Sequence, residues 1–312
     1  MLSRTADSLF WLGRYTERAG NVARGIGASL RMASIAAPLG TDGDEWRALL
    51  VATGTDPGFR LKYDAATQEA AVHWLTLDAE NPSSIVSCIE AARRNGRAVR
   101  TALTADMWEA INDTWNEARR LDRDSIRGDR LPGFLDWVKG RTMLFNGSTT
   151  DTMLRDDAWR FLHLGTMLER ADNTARLLDV RHAAFDPAQT PDAHVTAQWQ
   201  AVLRSVSALR AYQYVNRARL EPTLIIDLMV NRVELPRSLL SCYARVDENL
   251  AAIAAYTGRR GPCHDIATSL HATVRDTPAA GILATGLHDF LTGLIDRNIE
   301  LGAEIGKLYL SG

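Results

Sequence analysis

Two Glu-Arg pairs, Glu17-Arg18 and Glu169-Arg170, are the residues whose types and spacing point most directly to chemistry, because both sit in the same setting. Residues 12–24 read Leu12-Gly13-Arg14-Tyr15-Thr16-Glu17-Arg18-Ala19-Gly20-Asn21-Val22-Ala23-Arg24, and residues 164–176 read Leu164-Gly165-Thr166-Met167-Leu168-Glu169-Arg170-Ala171-Asp172-Asn173-Thr174-Ala175-Arg176. Eight of the thirteen positions are identical, where average residue usage gives about one. The shared pattern, L-G-x3-E-R-A-x-N-x-A-R, keeps mostly polar positions. On a helix Glu17, Asn21 and Arg24 fall at i, i+4 and i+7 and share a face, with Arg14 extending it; Glu169, Asn173 and Arg176 do the same. Three readings fit such a face. It is a solvated surface braced by ion pairs of about 0.2–0.5 kcal/mol each, a buried network in which truncating one partner costs about 3–5 kcal/mol, or a cleft that binds or transforms an anionic ligand. In the last case Glu17 or Glu169 is a candidate general base, although a neighbouring guanidinium lowers a carboxyl's pKa and weakens it in that role.

A further stripe, Arg93, Arg97 and Arg100 with Arg94 and Asn95 beside it, lies on a later helical segment. Facing the Glu17 helix it would form a pocket for carboxylate or phosphate; facing away it is a solvated basic surface. The second-half positions matching Arg93 and Arg97 are Asp247 and Ala251. This asymmetry predicts one anion-binding centre, in the first half. No metal site is expected: the glutamates lack the Glu-x-x-His partners of di-iron bundles, and the seven histidines are scattered. Cys263-His264-Asp265 reads as a helix start, Cys88 and Cys242 as small buried residues. There is no Gly-rich phosphate loop and no G-x-S-x-G, so no cofactor is expected.

The elements that must position these groups are helices almost throughout. The periodicity predicts a long helix over 3–36, stopped by Pro38 and Gly40, then segments at 44–53 and 65–77. Pro82 and Ser83 open a helix to about Leu103, and Thr104 caps another at 105–122. Arg127 to Gly133 reads as a loop, and Asn146-Gly147-Ser148 as a turn before a second long helix over 149–182. His182 to Pro191 is a linker, with Pro187 and Pro191 in it. Further helices are predicted near 195–213, 222–231, 236–257, 264–275 and 280–310. No segment alternates with period two. In the first long helix Ala6, Gly13, Gly20, Gly27 and Ser34 recur every seven residues. Interior glycines cost about 1 kcal/mol each relative to Ala, so another helix, or a ligand, must approach closely there.

The repetition continues beyond one helix. Trp46 to Leu50 recurs as Trp199 to Leu203, and Pro82, Ser84, Ser87, Cys88 and Asn95 recur as Pro236, Ser238, Ser241, Cys242 and Asn249. Three blocks in one order imply two similar halves, about 1–146 and 147–312, related by a pseudo-twofold axis. A chain of 312 residues with 46% apolar content can bury a large core. A net charge of −2 and a pI near 6.4 carry no electrostatic footprint for nucleic acid. No apolar run approaches the roughly 20 residues of a membrane span, and the charged N-terminus does not read as a signal peptide. Three cysteines without a C-x2-C pair fit a reducing compartment, so cytoplasmic localisation is the expectation.

The opening stretch from Met1 to Ala19 resembles the start of the bacterial alpha-E domain family. So do Asn81-Pro82-Ser83-Ser84-Ile85, Ala92-Arg93-Arg94-Asn95-Gly96-Arg97, Leu168-Glu169-Arg170-Ala171-Asp172-Asn173 and Leu235-Pro236-Arg237-Ser238-Leu239. One departure is Gly96, where the family pattern has Ala. The resemblance covers essentially the whole chain and implies an all-helical fold. It also implies association with an ATP-grasp ligase-like protein and a transglutaminase-like protein, hence a role in ATP-dependent amide-bond formation or peptide modification. It assigns no reaction to particular residues. The expectation is therefore an all-α helical bundle, a single domain over 1–312 built of two duplicated halves with two long helices. It is an accessory protein that engages the ligase or an anionic peptide-like substrate. Its surface is Glu17, Arg18, Asn21, Arg24, Glu169, Arg170, Asn173 and Arg176, with Arg93, Asn95 and Arg97. The alternative is an enzyme with a glutamate base and arginines that hold an anionic substrate.

Overall fold

The first helix, α1 (Ser3–Ala36), runs through the centre of the molecule. In the computed structural model, which describes residues 2–36, 42–186 and 192–310, it packs against five other α-helices and the short helical turn Gly306–Leu310. Its N-terminal part buries Leu9, Phe10 and Leu12 in one apolar core with Phe161, Leu164 and Leu168. Its C-terminal part buries Ala19, Val22, Ala23 and Ile26 in a second core with Trp46, Leu50, Trp74 and Cys88. At about 25 cal/mol per Å² of apolar surface, each such large side chain contributes about 1.5–3 kcal/mol. The polar positions 14–24 thus lie where one core gives way to the other.

The first core is completed around the second motif and the second around the first. α2 (Asp42–Ala52), α3 (Asp56–Arg60), α4 (Gln68–Thr76), α5 (Ile85–Ala98), α6 (Ala105–Ala118) and α7 (Arg130–Thr152) surround the C-terminal part of α1 and part of its N-terminal end. α8 (Asp157–Asp179) carries the second motif and lies along α1. α9 (Ala193–Ser205), α10 (Leu209–Asn216), α11 (Pro222–Ile226), α12 (Leu239–Thr257), α13 (Pro262–Asp276), α14 (Ala279–Thr285) and α15 (Leu287–Ile305) follow, with α12 and α15 against α8. Among the described residues there is no strand. A buried ion pair, Arg181 Nη2 to Glu45 Oε2 at 2.6 Å, ties α2 to the end of α8. The fold is all-α.

Several boundaries follow their caps. Thr104 accepts the Met107 N–H at the start of α6, and Ser84 and Ser238 cap α5 and α12 in the same way. The helix opened by Pro82 and Ser83 therefore begins at Ile85, and the late helix read as 280–310 is broken at Gly286, whose φ of 114° few other residues adopt. The region before the second motif departs most from expectation. Asn146-Gly147-Ser148 is no turn; it lies inside α7, and the second long helix begins at Asp157 rather than 149. Val138, Thr142, Phe145 and Thr149 are all buried at helical spacing and carry the helix through the glycine. The break comes at Met153–Asp156, where the Asp156 carboxylate accepts the N–H groups of Ala158 and Trp159. The boundary drawn at 146/147 falls inside a helix, and the loop placed at Arg127 to Gly133 ends where α7 starts at Arg130. Pro38, Gly40, Pro187 and Pro191 lie outside the described residues.

α1 and α8 meet backbone to backbone. A Cβ on Gly13 would collide with the Leu162 carbonyl oxygen, and one on Gly165 with the Phe10 carbonyl oxygen. The contact is reciprocal: each motif glycine sits on the carbonyl three residues before the other. The heptad seam is otherwise shared among neighbours, since Gly20 faces Thr142 of α7 and Gly27 comes within van der Waals reach of Leu135. Gly96, by contrast, has room, its added Cβ lying 3.5 Å or more from Leu103, Ile111 and Leu12. Gly96→Ala should therefore raise stability by up to about 1 kcal/mol through helix propensity. Gly13→Ala and Gly165→Ala should each lower it by about 1–3 kcal/mol or more, because the helices must part. Urea denaturation of the three variants decides this; equal effects of one sign at all three sites would contradict the packing described.

Candidate functional site

Where α1 and α8 are this close, their glutamates cross over. Glu169 on α8 receives Arg18 of α1 in a two-point contact, Nε to Oε1 at 2.5 Å and Nη2 to Oε2 at 2.8 Å, with Arg14 Nε at 2.9 Å. Glu17 on α1 receives Arg170 of α8 the same way, Nη2 to Oε2 at 3.0 Å and Nε to Oε1 at 3.3 Å. Each motif carboxylate is thus held by the motif arginine of the other helix. The remaining nitrogens reach the turns before α5 and α12: Arg18 Nη1 donates to Ser83 Oγ, and Arg170 Nη1 to the Pro236 carbonyl. These turns carry the matching Pro82 and Pro236.

The two ends differ in charge. At Glu17 two more guanidiniums arrive, Arg237 Nη1 at 2.6 Å and Arg24 Nη2 at 3.6 Å, and Asn21 Oδ1 accepts from both, at 3.0 and 2.8 Å. Arg237 stands near the place that Ser83 has in the first half. Arg176, the counterpart of Arg24, is paired with Asp172 at 2.8 Å, but the residue matching Asp172 is Gly20, and Arg24 has no carboxylate of its own. Three arginines therefore converge on Glu17, which is 1% exposed. Arg24 Nε and Asn21 Nδ2 are buried without a partner, a condition that costs about 1–3 kcal/mol per group.

Burial alone would push the Glu17 carboxyl up, but Arg170, Arg237 and Arg24 outweigh it and hold it far below the usual carboxylate range. Glu169 is brought down to about 2, burial again being overcome by Arg18 and Arg14. Burial, with Arg237 beside it, pushes Arg24 down to about 9, Glu17 only partly compensating. Both glutamates are fixed as carboxylates at neutral pH and make poor proton acceptors, which weighs against the general-base reading.

A cleft of about 350 Å³ opens beside the Glu169 end, lined by Arg14, Arg18, Asn21, Ser83, Asn173 and Arg176, by the carboxylates of Glu169 and Asp172, and by Thr53 and Gly54. Among the described residues Asn173 makes no side-chain hydrogen bond. The structure thus gathers Glu17, Arg18, Asn21, Arg24, Glu169, Arg170, Asn173 and Arg176 into one region. It does not bring Arg93, Asn95 or Arg97 there. Arg93 Nε donates to Asn112 of α6, Asn95 to its own Ala91 carbonyl, and Arg97 is exposed. Asp247, the counterpart of Arg93, binds Thr268 and His271 of α13. Both positions brace a helix to the next one. Arg237 and Ser83 were missed as site residues; the signal was their place in matching Pro turns. A second polar group, Tyr63 hydroxyl between His73 Nδ1 at 3.0 Å and Asp78 Oδ2 at 3.2 Å, borders another cavity of about 590 Å³ and had no motif to announce it.

The pH response follows from the two glutamates. Their folded-state pKa lies below the ordinary 4.5, so the paired carboxylates stabilise the fold fully above that pH. The contribution drains away as pH falls from 4.5 toward 2. Urea midpoints should fall steeply across this window. Glu169→Gln should lower the midpoint at pH 7, leaving Arg14 and Arg18 under-partnered at a cost of about 3–5 kcal/mol, and should flatten the acid limb. An acid limb identical in the variant would remove Glu169 from this role.

No helix among the described residues is long and apolar enough to cross a membrane. No solved structure matches this chain. It is similar to the uncharacterized protein Mb2597 of Mycobacterium bovis, 27% identical over 283 residues, and to the uncharacterized protein Rv2567 of Mycobacterium tuberculosis, 26% identical over 283 residues. In each case the match covers 83% of this chain and 31% of the relative, so the chain spans less than a third of their length. Residues 1–310 match the family described as a predicted alpha-helical domain with a conserved ER motif. With its two Glu-Arg pairs exchanged across the α1–α8 crossing, the chain belongs to the Alpha-E family.

Proposed function

We propose that this chain is a non-catalytic accessory protein of an ATP-grasp-linked system for peptide or amide-bond formation. In this reading it holds an anionic, peptide-like substrate or an acidic segment of the ligase at the Glu/Arg/Asn cluster. A transglutaminase-like protein is a second candidate partner, and the site of action is cytoplasmic. The reading rests on the surplus of guanidinium over carboxylate at Glu17, with Arg24 Nε and Asn21 Nδ2 unpartnered there. An incoming carboxylate or phosphate would supply the missing acceptors, each charge-assisted bond contributing about 1.5–3 kcal/mol. The adjacent cleft, with Asn173 unengaged, offers room for the rest of such a ligand. The size of the mycobacterial relatives is in keeping with a module that works beside other domains. We also infer that the two halves arose by duplication; the reciprocal Gly13 and Gly165 contacts and the exchanged Glu-Arg pairs support this.

Titration of the protein with a glutamate-rich peptide and with inorganic phosphate tests the reading. Arg24→Gln should weaken binding roughly ten- to a hundredfold for each hydrogen bond to the anion that it removes, whereas Arg97→Ala should leave it unchanged. In anion-free buffer Arg24→Met should be neutral or stabilising, since it removes an under-partnered buried cation. No binding by either probe, or equal losses from Arg24→Gln and Arg97→Ala, would overturn the proposal. Co-purification with the ATP-grasp protein addresses the partner separately.

A further inference from the structure

At the far end of α8 from its N-cap, the end of that helix meets a residue more than a hundred positions later in the chain. Asp179 closes α8, His182 lies on the short 3-10 turn His182–Phe185 that follows, and His288 stands in the first turn of α15. One possible ligand atom from each lies within 4.8 Å of the others. The imidazoles face each other with ring centres 4.7 Å apart. We propose that Asp179, His182 and His288 form a binding site for a divalent transition-metal ion of the zinc or nickel class.

The hydrogen bonds fix the chemistry of both rings. His182 Nδ1 lies 2.7 Å from the Asp179 backbone oxygen, which can only accept, so Nδ1 carries the proton and Nε2 the lone pair. A backbone carbonyl orienting a histidine through its other nitrogen is the usual support of a metal ligand. His288 Nδ1 donates to Asp179 Oδ1 at 2.6 Å. An ion enters as the His288 proton moves, by way of solvent, from Nδ1 to Nε2; the freed Nδ1 lone pair and Asp179 Oδ1 then form a nitrogen–oxygen chelate. His182 completes three protein ligands and solvent takes the open positions, the donor set of known zinc sites with an accessible coordination position. Two imidazoles and one carboxylate favour zinc, nickel or copper over calcium and magnesium, which take oxygen ligands. The C-terminal end of α8 adds its partial negative charge.

The geometry asks for a small adjustment. Bonds of about 2.0–2.2 Å place ligand atoms about 3–3.5 Å apart, so His182 must swing inward. Both histidines are exposed, and His288 is 54% exposed, so the movement displaces no buried neighbour. For the same reason their removal should leave the fold intact. An ion bound there would pin the start of α15 to the end of α8.

Calorimetric titration of the tag-free protein with zinc chloride and nickel chloride tests the site. The expected result is one saturable site, a rise in melting temperature with metal that chelator reverses, and a loss of affinity of at least roughly 10–100-fold in His182→Ala and in His288→Ala. His271→Ala, which removes another histidine paired with an aspartate, should bind like the parent. Circular dichroism of each variant establishes that it is folded. No saturable binding to the parent, or binding unaffected by both His182→Ala and His288→Ala, would overturn the assignment.

Discussion

The exchange of carboxylate and guanidinium across the α1–α8 crossing governs most of what else this molecule must do. A buried charge without a partner costs several kcal/mol, so Glu17 and Glu169 cannot enter the interior alone. Each is met by an arginine from the opposite helix in a planar two-point contact. That contact has a fixed reach, and the backbones must lie close enough to make it. Gly13 and Gly165 allow this approach, because any side chain there would strike a carbonyl of the other helix. The outer nitrogens of Arg18 and Arg170 then fix the turns before α5 and α12, whose N-caps Ser84 and Ser238 set where those helices begin. Glycine, ion pair, turn and cap form one chain of dependence on each side.

The same arrangement explains why α1 is so long. It lends its first turns to one apolar core and its last turns to the other, with the polar crossing between them. Neither core encloses the cluster alone, and its charges stay within reach of solvent at Arg18, 25% exposed, and Arg176, 28% exposed. The excess positive charge gathers at the Glu17 end because Gly20 stands where the other motif has Asp172, and Arg237 where the other Pro turn has Ser83. Both differences act in the same direction. A purely structural lock would gain from neutrality; this end carries three guanidiniums to one carboxylate.

The helical class and α1 were readable because a long run without proline kept apolar residues at helical spacing. The Glu, Arg and Asn positions of the site were readable because the motif occurs twice. The reach of Arg18 and Arg170 across to the other helix was not, since spacing along one helix shows only its own face. The Arg93 and Arg97 stripe misled for the same reason: its regular spacing is that of a helix face turned toward α6 and solvent. At Asn146-Gly147 local turn chemistry lost to the buried stripe from Val138 to Thr149. The histidines of the α8–α15 junction are separated by more than a hundred residues, and nothing local joins them.

Geometry also accounts for why the two motifs keep the same residue types rather than similar ones. With the helix separation set by the glycine contacts, aspartate in place of glutamate would fall one methylene short of the opposing guanidinium. Lysine in place of Arg18 or Arg170 would lose the second contact and the reach to the Pro turn. Asn21 is fixed in the same way, since its oxygen accepts from Arg24 and Arg237. Asn173 differs: it faces the cleft and, among the described residues, its side chain makes no hydrogen bond. Asparagine stands in both motifs, but only at position 21 does the fold engage its side chain.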